Sequence, residues 1–242
     1  MKKLGLIGFG NFGRFAAEHL GEDFEILAYD PQMTQEINSN VKSVSLDEAA
    51  SQPLVLLCVP LQNLPSVLEQ IKPNVRPGAL VVDTCSVKIK PSKAMEESIP
   101  EGVQIIGTHP LFGPQSGKNG LKGLDVVVCP VRAEEKTVEK LETFLKTKGL
   151  NVLHMTPKAH DEWMARTQAV AHLIGRAAKE MNLEKAPFRL ATYDALLTLR
   201  DLVNDDSDAL FQTIQLENPF AKMERKRFFD QMEKVEKALM KK

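Results

Sequence analysis

The 242-residue sequence has no run of about 18 apolar residues, and so offers no helix able to span a bilayer. It has almost no net charge. Thirty-one basic against 32 acidic side chains leave −1, which is no electrostatic footprint for nucleic acid or for an anionic membrane. Cysteine is scarce: Cys58, Cys85 and Cys129 are odd in number, lie far apart and lack metal-ligand spacing. The expectation is a reducing cytoplasm and no metal. The opening Met1-Lys2-Lys3-Leu4-Gly5-Leu6-Ile7 has a basic tip and an apolar stretch, but it is too short and glycine-broken for a secretory signal to be expected. Internal repeats and low-complexity tracts are also missing. What is present is an ordinary globular mixture, 43% hydrophobic and 26% charged, enough to build a sizeable core and to exclude disordered, collagenous and coiled-coil readings. Against about 150 residues per domain, the length suggests one large domain or two unequal ones.

The chain changes character once. Up to about residue 155, short apolar runs at 4–8, 25–29, 54–59, 79–83, 103–107, 125–129 and 151–155 alternate with amphipathic segments, clearest at 12–20, 64–71 and 133–148. Most of the runs are continuous, as parallel strands buried on both faces require. The pattern predicts an α/β fold with a doubly wound Rossmann-type sheet over residues 1–156. After Pro157 the β-branched runs stop. Segments 157–182, 186–203, 207–217 and 219–240 read as helices separated by Pro187, an Asp-rich turn and Pro219. This small all-helical domain, 157–242, is short of core material, so a homodimer burying helical faces is expected. Residues 222–242, with eight basic and four acidic side chains, read as a solvated helix face.

Gly8-Phe9-Gly10-Asn11-Phe12-Gly13 is a G-x-G-x-x-G pattern set between a strand and a helix, the context in which it binds a dinucleotide. Gly8 permits a tight turn, Gly10 the approach of a pyrophosphate, and Gly13 close helix–strand packing, while the helix N-terminus offers unpaired N–H groups to phosphate. Asp30 ends the second strand, 22 residues after Gly8. A carboxylate there accepts both adenosine ribose hydroxyls and repels a 2′-phosphate, and no base follows in Pro31-Gln32-Met33. NAD is therefore expected over NADP. Cys58-Val59-Pro60 leaves the sheet where a nicotinamide would lie, although Pro60 also serves as a plain strand terminator.

Three segments carry reactive groups. Asp83-Thr84-Cys85-Ser86-Val87-Lys88 and Gly107-Thr108-His109-Pro110-Leu111-Phe112-Gly113-Pro114-Gln115-Ser116-Gly117 leave consecutive strands and converge on one rim. His109, at a strand end before a Pro- and Gly-rich loop, is the natural base for a hydroxyl proton as hydride departs to NAD. Ser86 either orients the same substrate oxygen or serves as a turn or cap serine. Lys88 reads as an exposed or loop-pinning charge. His19, His154 and His160 are expected at solvated ends and receive no role. The third segment, Gln168, His172 and Arg176, is spaced i, i+4, i+8 and forms one polar stripe on a helix rich in small residues. Such a helix packs closely, and polar groups buried in it must be paired. Arg176 either meets a substrate carboxylate or ties loop carbonyls together.

Taken in order, Gly8–Gly13, Asp83–Lys88, Thr108–Pro114 and the His172–Arg176 segment resemble the arogenate/prephenate dehydrogenase family of tyrosine biosynthesis, most closely its plant-type arogenate members. The resemblance implies a Rossmann domain followed by a helical dimerisation domain. It casts His109 as catalytic base and Ser86 as its partner on the substrate hydroxyl, and it makes Gln115, Ser116, Gln168 and His172 pocket residues. Thr84, Val59 and Pro60 join Gly8, Gly10, Asn11, Phe12, Gly13 and Asp30 on the cofactor side. Within Asn204-Asp205-Asp206-Ser207-Asp208, Asp206 aligns with an aspartate that marks arogenate users, although helix capping accounts for such residues equally well. Two departures stand out. Asp30-Pro31 replaces a Ser-Arg-like NADP signature, and no domain-sized segment follows the helices, so no separate regulatory domain is expected. The implied reaction is oxidative decarboxylation of arogenate to tyrosine with hydride passing to NAD, or of prephenate as the alternative. Two rivals are a β-hydroxyacid dehydrogenase, which would rely on a lysine, and a non-enzymatic NAD sensor, which would need no organised base.

Overall fold

The computed structural model describes residues 2–33 and 40–240, in two compact units, Met1–Pro157 and Lys158–Lys242. The first unit runs β1 (Lys2–Ile7), α1 (Asn11–Leu20), β2 (Phe24–Tyr29), β3 (Val41–Ser43), α2 (Leu46–Ala50), β4 (Leu54–Leu57), α3 (Leu64–Ile71), β5 (Leu80–Asp83), α4 (Ile89–Ser98), β6 (Gln104–Pro110), β7 (Asp125–Arg132), α5 (Glu135–Thr147) and β8 (Asn151–His154). One sheet holds the eight strands in the order β3-β2-β1-β4-β5-β6-β7-β8. The order reverses between β1 and β4, so their carboxyl ends open a crevice at the switch point, the place where such folds take ligands.

The doubly wound sheet is present, with one departure from the all-parallel expectation: β7 runs antiparallel to β6. The reason is the connection. A parallel return needs a crossover of a dozen or more residues, usually helical, and residues 111–124 between β6 and β7 contain no helix. Three elements went unread in the sequence. β3 has three residues, α2 has five, and α4 carries Pro91 and a mixed face.

Alternation along the strands divides the core. Val55, Leu57, Val81 and Ile105 face α3 and α4, meeting Leu64, Leu68, Ile71 and Met95. Leu4, Leu6 and Ile26 face α1, meeting Ala16 and Ala17. On that second face Phe24 and Phe144 close edge to face at 5.4 Å, beside an apolar cavity of about 130 Å³ that Thr108 and Pro110 help to line. By the same alternation, His109 lies on the opposite face, with Gly107 and α4.

The second unit is helical: α6 (Pro157–Met164), α7 (Val170–Glu180), α8 (Ala191–Leu202), α9 (Asp208–Gln212) and α10 (Ala221–Leu239). Two π-turns, Ala165–Ala169 and Thr213–Glu217, interrupt it. They are held together by the buried Gln215, whose Nε2 donates to the Ala169 carbonyl at 2.7 Å, and their core is Ala169, Ile214 and Ala221. The small residues of α7 do admit a close neighbour. A Cβ at Gly175 would stand 2.6 Å from Val203 Cγ2, at the end of α8.

Candidate active site

The glycine turn is built as its spacing predicts. Gly8 has φ +96°, and a Cβ there would lie 2.4 Å from the Cys58 carbonyl oxygen. A Cβ at Gly13 would lie 2.1 Å from the Gly8 oxygen, so α1 rests directly on the turn. Gly10 is different: nothing stands within 4 Å of its missing Cβ, and it precedes the first residue of α1 with its face open. Asn11 is exposed and Phe12 half-buried beside it. This cradle of free amides and open space fits a pyrophosphate. Asp30 is half-buried at the end of β2 and accepts the Phe9 amide on Oδ2 at 2.7 Å and the Gln32 amide on Oδ1 at 2.8 Å. Its carboxylate is thus fixed against the glycine turn, with lone pairs left over for a ribose. Across the crevice, Val59 is half-buried and Pro60 exposed after β4, while Thr84 Oγ1 donates to the Leu57 carbonyl at 3.1 Å. Arg14, unremarked in the sequence, donates through Nε to the Phe9 carbonyl at 3.1 Å and braces the turn from the first residues of α1.

The reactive rim follows from β5 and β6, adjacent parallel strands in which Asp83 is paired with Gly107. His109 is buried, 4% exposed, and still within β6, opposite Val127 of β7. It is therefore held by strand pairing on one side rather than by the loop alone, which begins at Leu111. Ser86 is buried as well, and its Oγ has no hydrogen-bond partner. It caps nothing, since the residue before α4 is Lys88. Lys88 is the loop-pinning charge, not an exposed one. It is fully buried and donates to Asp83 Oδ2 and to the Thr108 carbonyl, each at 2.5 Å. Breaking such a pair from one side would cost about 3–5 kcal/mol, because a bare charge stays behind. Beyond the strand, Gln115 and Ser116 are exposed, and Ser116 Oγ accepts the Gly113 amide at 3.0 Å, closing the loop on itself.

Burial also governs the thiols here. It raises the Cys58 thiol to about 12, and it pushes Cys85 well above its ordinary value, with the Asp83 carboxylate adding to the shift.

The second unit carries its own polar set. His172 and Arg176 form a stripe on α7, but Gln168 does not continue it regularly. It lies in the π-turn, whose wider winding breaks the i, i+4, i+8 phase expected of an unbroken helix. His172 Nδ1 is 3.1 Å from Asp206 Oδ2. Arg176 donates to Asp208 Oδ1 at 2.8 Å and lies over the Phe211 ring at 4.8 Å, so it ties a carboxylate rather than loop carbonyls. Of the histidines given no role, His154 is exposed and His19 rests on the Phe15 ring at 4.4 Å. His160 is not solvated as expected. It is fully buried with Nδ1 2.8 Å from Asp161 Oδ1, and Asn218 donates to the Asp161 carbonyl at 2.8 Å.

With this geometry in place, likeness to known proteins becomes informative. A family profile described as prephenate dehydrogenase, nucleotide-binding domain, matches residues 20–154, and one described as TYRAAT1-like, C-terminal domain, matches 177–242. The chain belongs to the prephenate dehydrogenase family. It is 31% identical over 238 residues to arogenate dehydrogenase 1, chloroplastic, of Arabidopsis thaliana, covering 93% of this chain and 37% of that one. Arogenate dehydrogenase 2, chloroplastic, of the same plant is 29% identical over 249 residues, covering 98% and 70%. The chain thus spans little more than a third of the first relative's length. Among solved structures, prephenate dehydrogenase from A. aeolicus in complex with hydroxyphenyl propionate and NAD+ superposes with a TM-score of 0.75 at 18% identity, covering 100% of this chain and 91% of that one. That likeness extends the family's fold through the helical unit. Among the described residues, no helix is long and apolar enough to cross a membrane.

Proposed function

We propose that this family member is an NAD-dependent dehydrogenase that oxidatively decarboxylates arogenate to tyrosine. The observation that carries the reading is the rim of the sheet: a buried histidine, His109, on β6 and a buried hydroxyl without a partner, Ser86, on the segment leaving the adjacent β5, in the sheet that also carries a nucleotide-type glycine turn. A hydroxyl buried with no partner is an unmet demand that a substrate oxygen would satisfy.

In this reading, residues 1–156 bind the nucleotide through Gly8, Gly10, Asn11, Phe12 and Gly13 at the phosphates and Asp30 at the ribose, with Val59, Pro60 and Thr84 toward the nicotinamide. The cofactor supplies a hydride acceptor. His109 takes the proton of the substrate's ring hydroxyl while Ser86 orients that oxygen, so the carbinol carbon is freed to lose hydride. Loss of CO₂ from the opposite ring carbon sends its electron pair through the ring to that oxygen. The proton returns from His109, and the ring is left aromatic. Aromatisation makes the step strongly downhill. No covalent nucleophile is needed.

To recognition of the substrate we assign Gln115 and Ser116 from the rim loop and Gln168, His172, Arg176 and Asp206 from residues 157–242. Arogenate and prephenate differ in one place, an ammonium against a keto group. Asp206 favours the ammonium: it is a carboxylate with a buried, unpartnered oxygen, and Ser207 rather than Asp206 caps α9. The prephenate reading draws its support from His172, which if protonated would neutralise Asp206 and leave nothing for an ammonium. The β-hydroxyacid alternative loses support because the lysine of this rim is sealed from solvent between two acceptors. A sensor without catalysis would have no use for the buried histidine and serine.

We further propose a homodimer formed through the helical unit, in a reducing compartment such as the cytoplasm. Residues 231–240 are exposed throughout, and Phe229, Met232, Val235 and Leu239 line one side of α10. Ion pairs Lys226–Asp230 and Lys237–Glu233 occupy the other side. Initial rates with arogenate and with prephenate, each with NAD, test the main reading. Faster turnover of arogenate is expected, and oxidation of neither would overturn it.

A further inference from the structure

Lys88 is a costly choice for a loop pin. Two neighbouring loops can be joined by a neutral hydrogen bond at far smaller desolvation cost, and a buried ion pair is poor value for stability alone. Its location is more telling. Asp83, the residue it pairs with, ends β5 three positions before Ser86. Thr108, whose carbonyl it also holds, immediately precedes His109. A single ammonium is therefore bonded to the stem of both reactive segments, at 2.5 Å on each side.

The surroundings are arranged to hold that point. The Cys85 amide donates to the same Asp83 oxygen at 2.8 Å, shaping the turn that leads to Ser86. Thr108 Oγ1 donates to the Asp83 carbonyl at 2.6 Å, a second tie between the strands. Gly107 leaves the lysine stem its path: a Cβ there would stand 3.3 Å from Lys88 Cδ, 3.3 Å from Asp83 Oδ1 and 3.4 Å from Ser92 Oγ. An ammonium donates from one atom in three directions, so two short bonds fix it as a vertex.

We infer that Lys88 is a positioning residue which, through Asp83 and the Thr108 carbonyl, sets the spacing between the Ser86 hydroxyl and the His109 imidazole. The inference rests on the reading of His109 and Ser86 as the groups that handle the substrate oxygen. Lys88 itself touches no substrate. Its contribution is the fixed geometry that general-base chemistry requires, where a misplacement of about 1 Å costs on the order of 10²-fold in rate.

The test compares wild type, Lys88→Met and the double variant Asp83→Asn/Lys88→Met. The single variant strands a buried carboxylate and can lose its fold for that reason alone. The double variant removes both charges and decides the matter. It is expected to fold, to bind NAD within about threefold of wild type by calorimetry, and to lose kcat by ~10²-fold with much less change in KM. Amide hydrogen exchange should quicken together in peptides covering 84–88 and 109–117 and stay unchanged in β1 and α1. Wild-type kcat in a folded double variant overturns the inference. So does exchange that quickens across the whole sheet, or a double variant that cannot fold, since the pair would then hold the sheet and not the spacing. The exchange measurement uses no substrate. If wild type oxidises neither arogenate nor prephenate, the functional reading fails by itself, and the exchange result still decides whether Lys88 ties the two segments.

Discussion

His172 Nδ1 and Asp206 Oδ2 stand 3.1 Å apart, yet neither atom completes a hydrogen bond. Two buried polar atoms left in this state are a demand that a ligand or a proton would meet. Asp206 is also released from the duty its neighbours suggest, because Ser207 Oγ already accepts the Leu210 amide at 3.1 Å at the start of α9.

Asp206→Asn should therefore cost arogenate more than prephenate. A charge-assisted pair with the substrate ammonium contributes about 1.5–3 kcal/mol, so kcat/KM for arogenate is expected to fall roughly ten- to a hundredfold while prephenate turnover rises. Steady-state rates on both substrates check this. An unchanged ratio would return Asp206 to a structural role beside His172.

His109→Asn keeps a side chain of similar reach but cannot serve as a base. NAD affinity should stay nearly intact while kcat drops at least ~10²-fold. The acidic fall of kcat/KM in the wild type, where the base protonates, should vanish in the variant. Near-wild-type turnover would remove His109 from the reaction.

On the proposed reading, Asp30 selects between coenzymes by repulsion. Wild type should use NAD better than NADP, and Asp30→Ser with Pro31→Arg should narrow or reverse that preference by removing a negative charge and adding a phosphate partner. Because Asp30 also receives the Phe9 and Gln32 amides, some loss of affinity for both coenzymes should accompany the change. A wild type that prefers NADP would place Asp30 away from the ribose.

The desolvated thiols should make stability fall in alkali. Cys58 and Cys85 titrate higher in the folded protein than in the unfolded chain, so their contribution is complete below about pH 9 and is lost as the pH climbs toward the raised folded values, about 12 for Cys58. Above pH 9 the unfolded chain ionises first, and each thiol should remove up to about 1.4 kcal/mol per pH unit. Urea midpoints at pH 8 and pH 10.5 should differ more for wild type than for Cys58→Ala/Cys85→Ala. Equal differences would show that other groups govern the alkaline limb.

If α10 is a dimer seam, Val235→Glu should dissociate the protein while leaving the first unit folded. Sedimentation at micromolar concentration is expected to give a dimer for wild type and the 26.9 kDa monomer for the variant. A monomeric wild type would leave the exposed side of α10 without this partner.

The sheet was legible because parallel strands announce themselves as continuous apolar runs and glycines mark the turn between β1 and α1. The crevice residues followed from that spacing. The direction of β7 was not legible, since an apolar strand reads the same both ways and only the missing crossover helix gives it away. For Lys88 the sequence left two readings, exposed or loop-pinning, and burial decided for the second. A lone lysine in a polar turn looks solvated, and its burial depends on Asp83, Gly107 and Thr108 converging from two strands. His160 misled for the same reason, its neighbour Asp161 being the clue that a paired histidine can go inside. The phase of Gln168 was hidden because no residue type signals a π-turn, and the partner of this one, Gln215 on the Ala169 carbonyl, is 46 residues away in the chain.

That π-turn gives the helical run a residue to spare. Residues 157–180 contain one residue more than an unbroken α-helix of the same length would hold. The wide turn absorbs that residue, so deleting any single residue between 165 and 169 would close it into regular helix and leave the segments on either side in nearly their present phase. His172 and Arg176 would keep their places by Asp206 and Asp208, and what would change is the offset of Gln168 from their stripe and the Ala169 carbonyl that Gln215 holds. A miscount of one in the regular turns of α7 would instead rotate whatever follows by about 100°, so in this run it matters where a residue is lost and not only that it is lost.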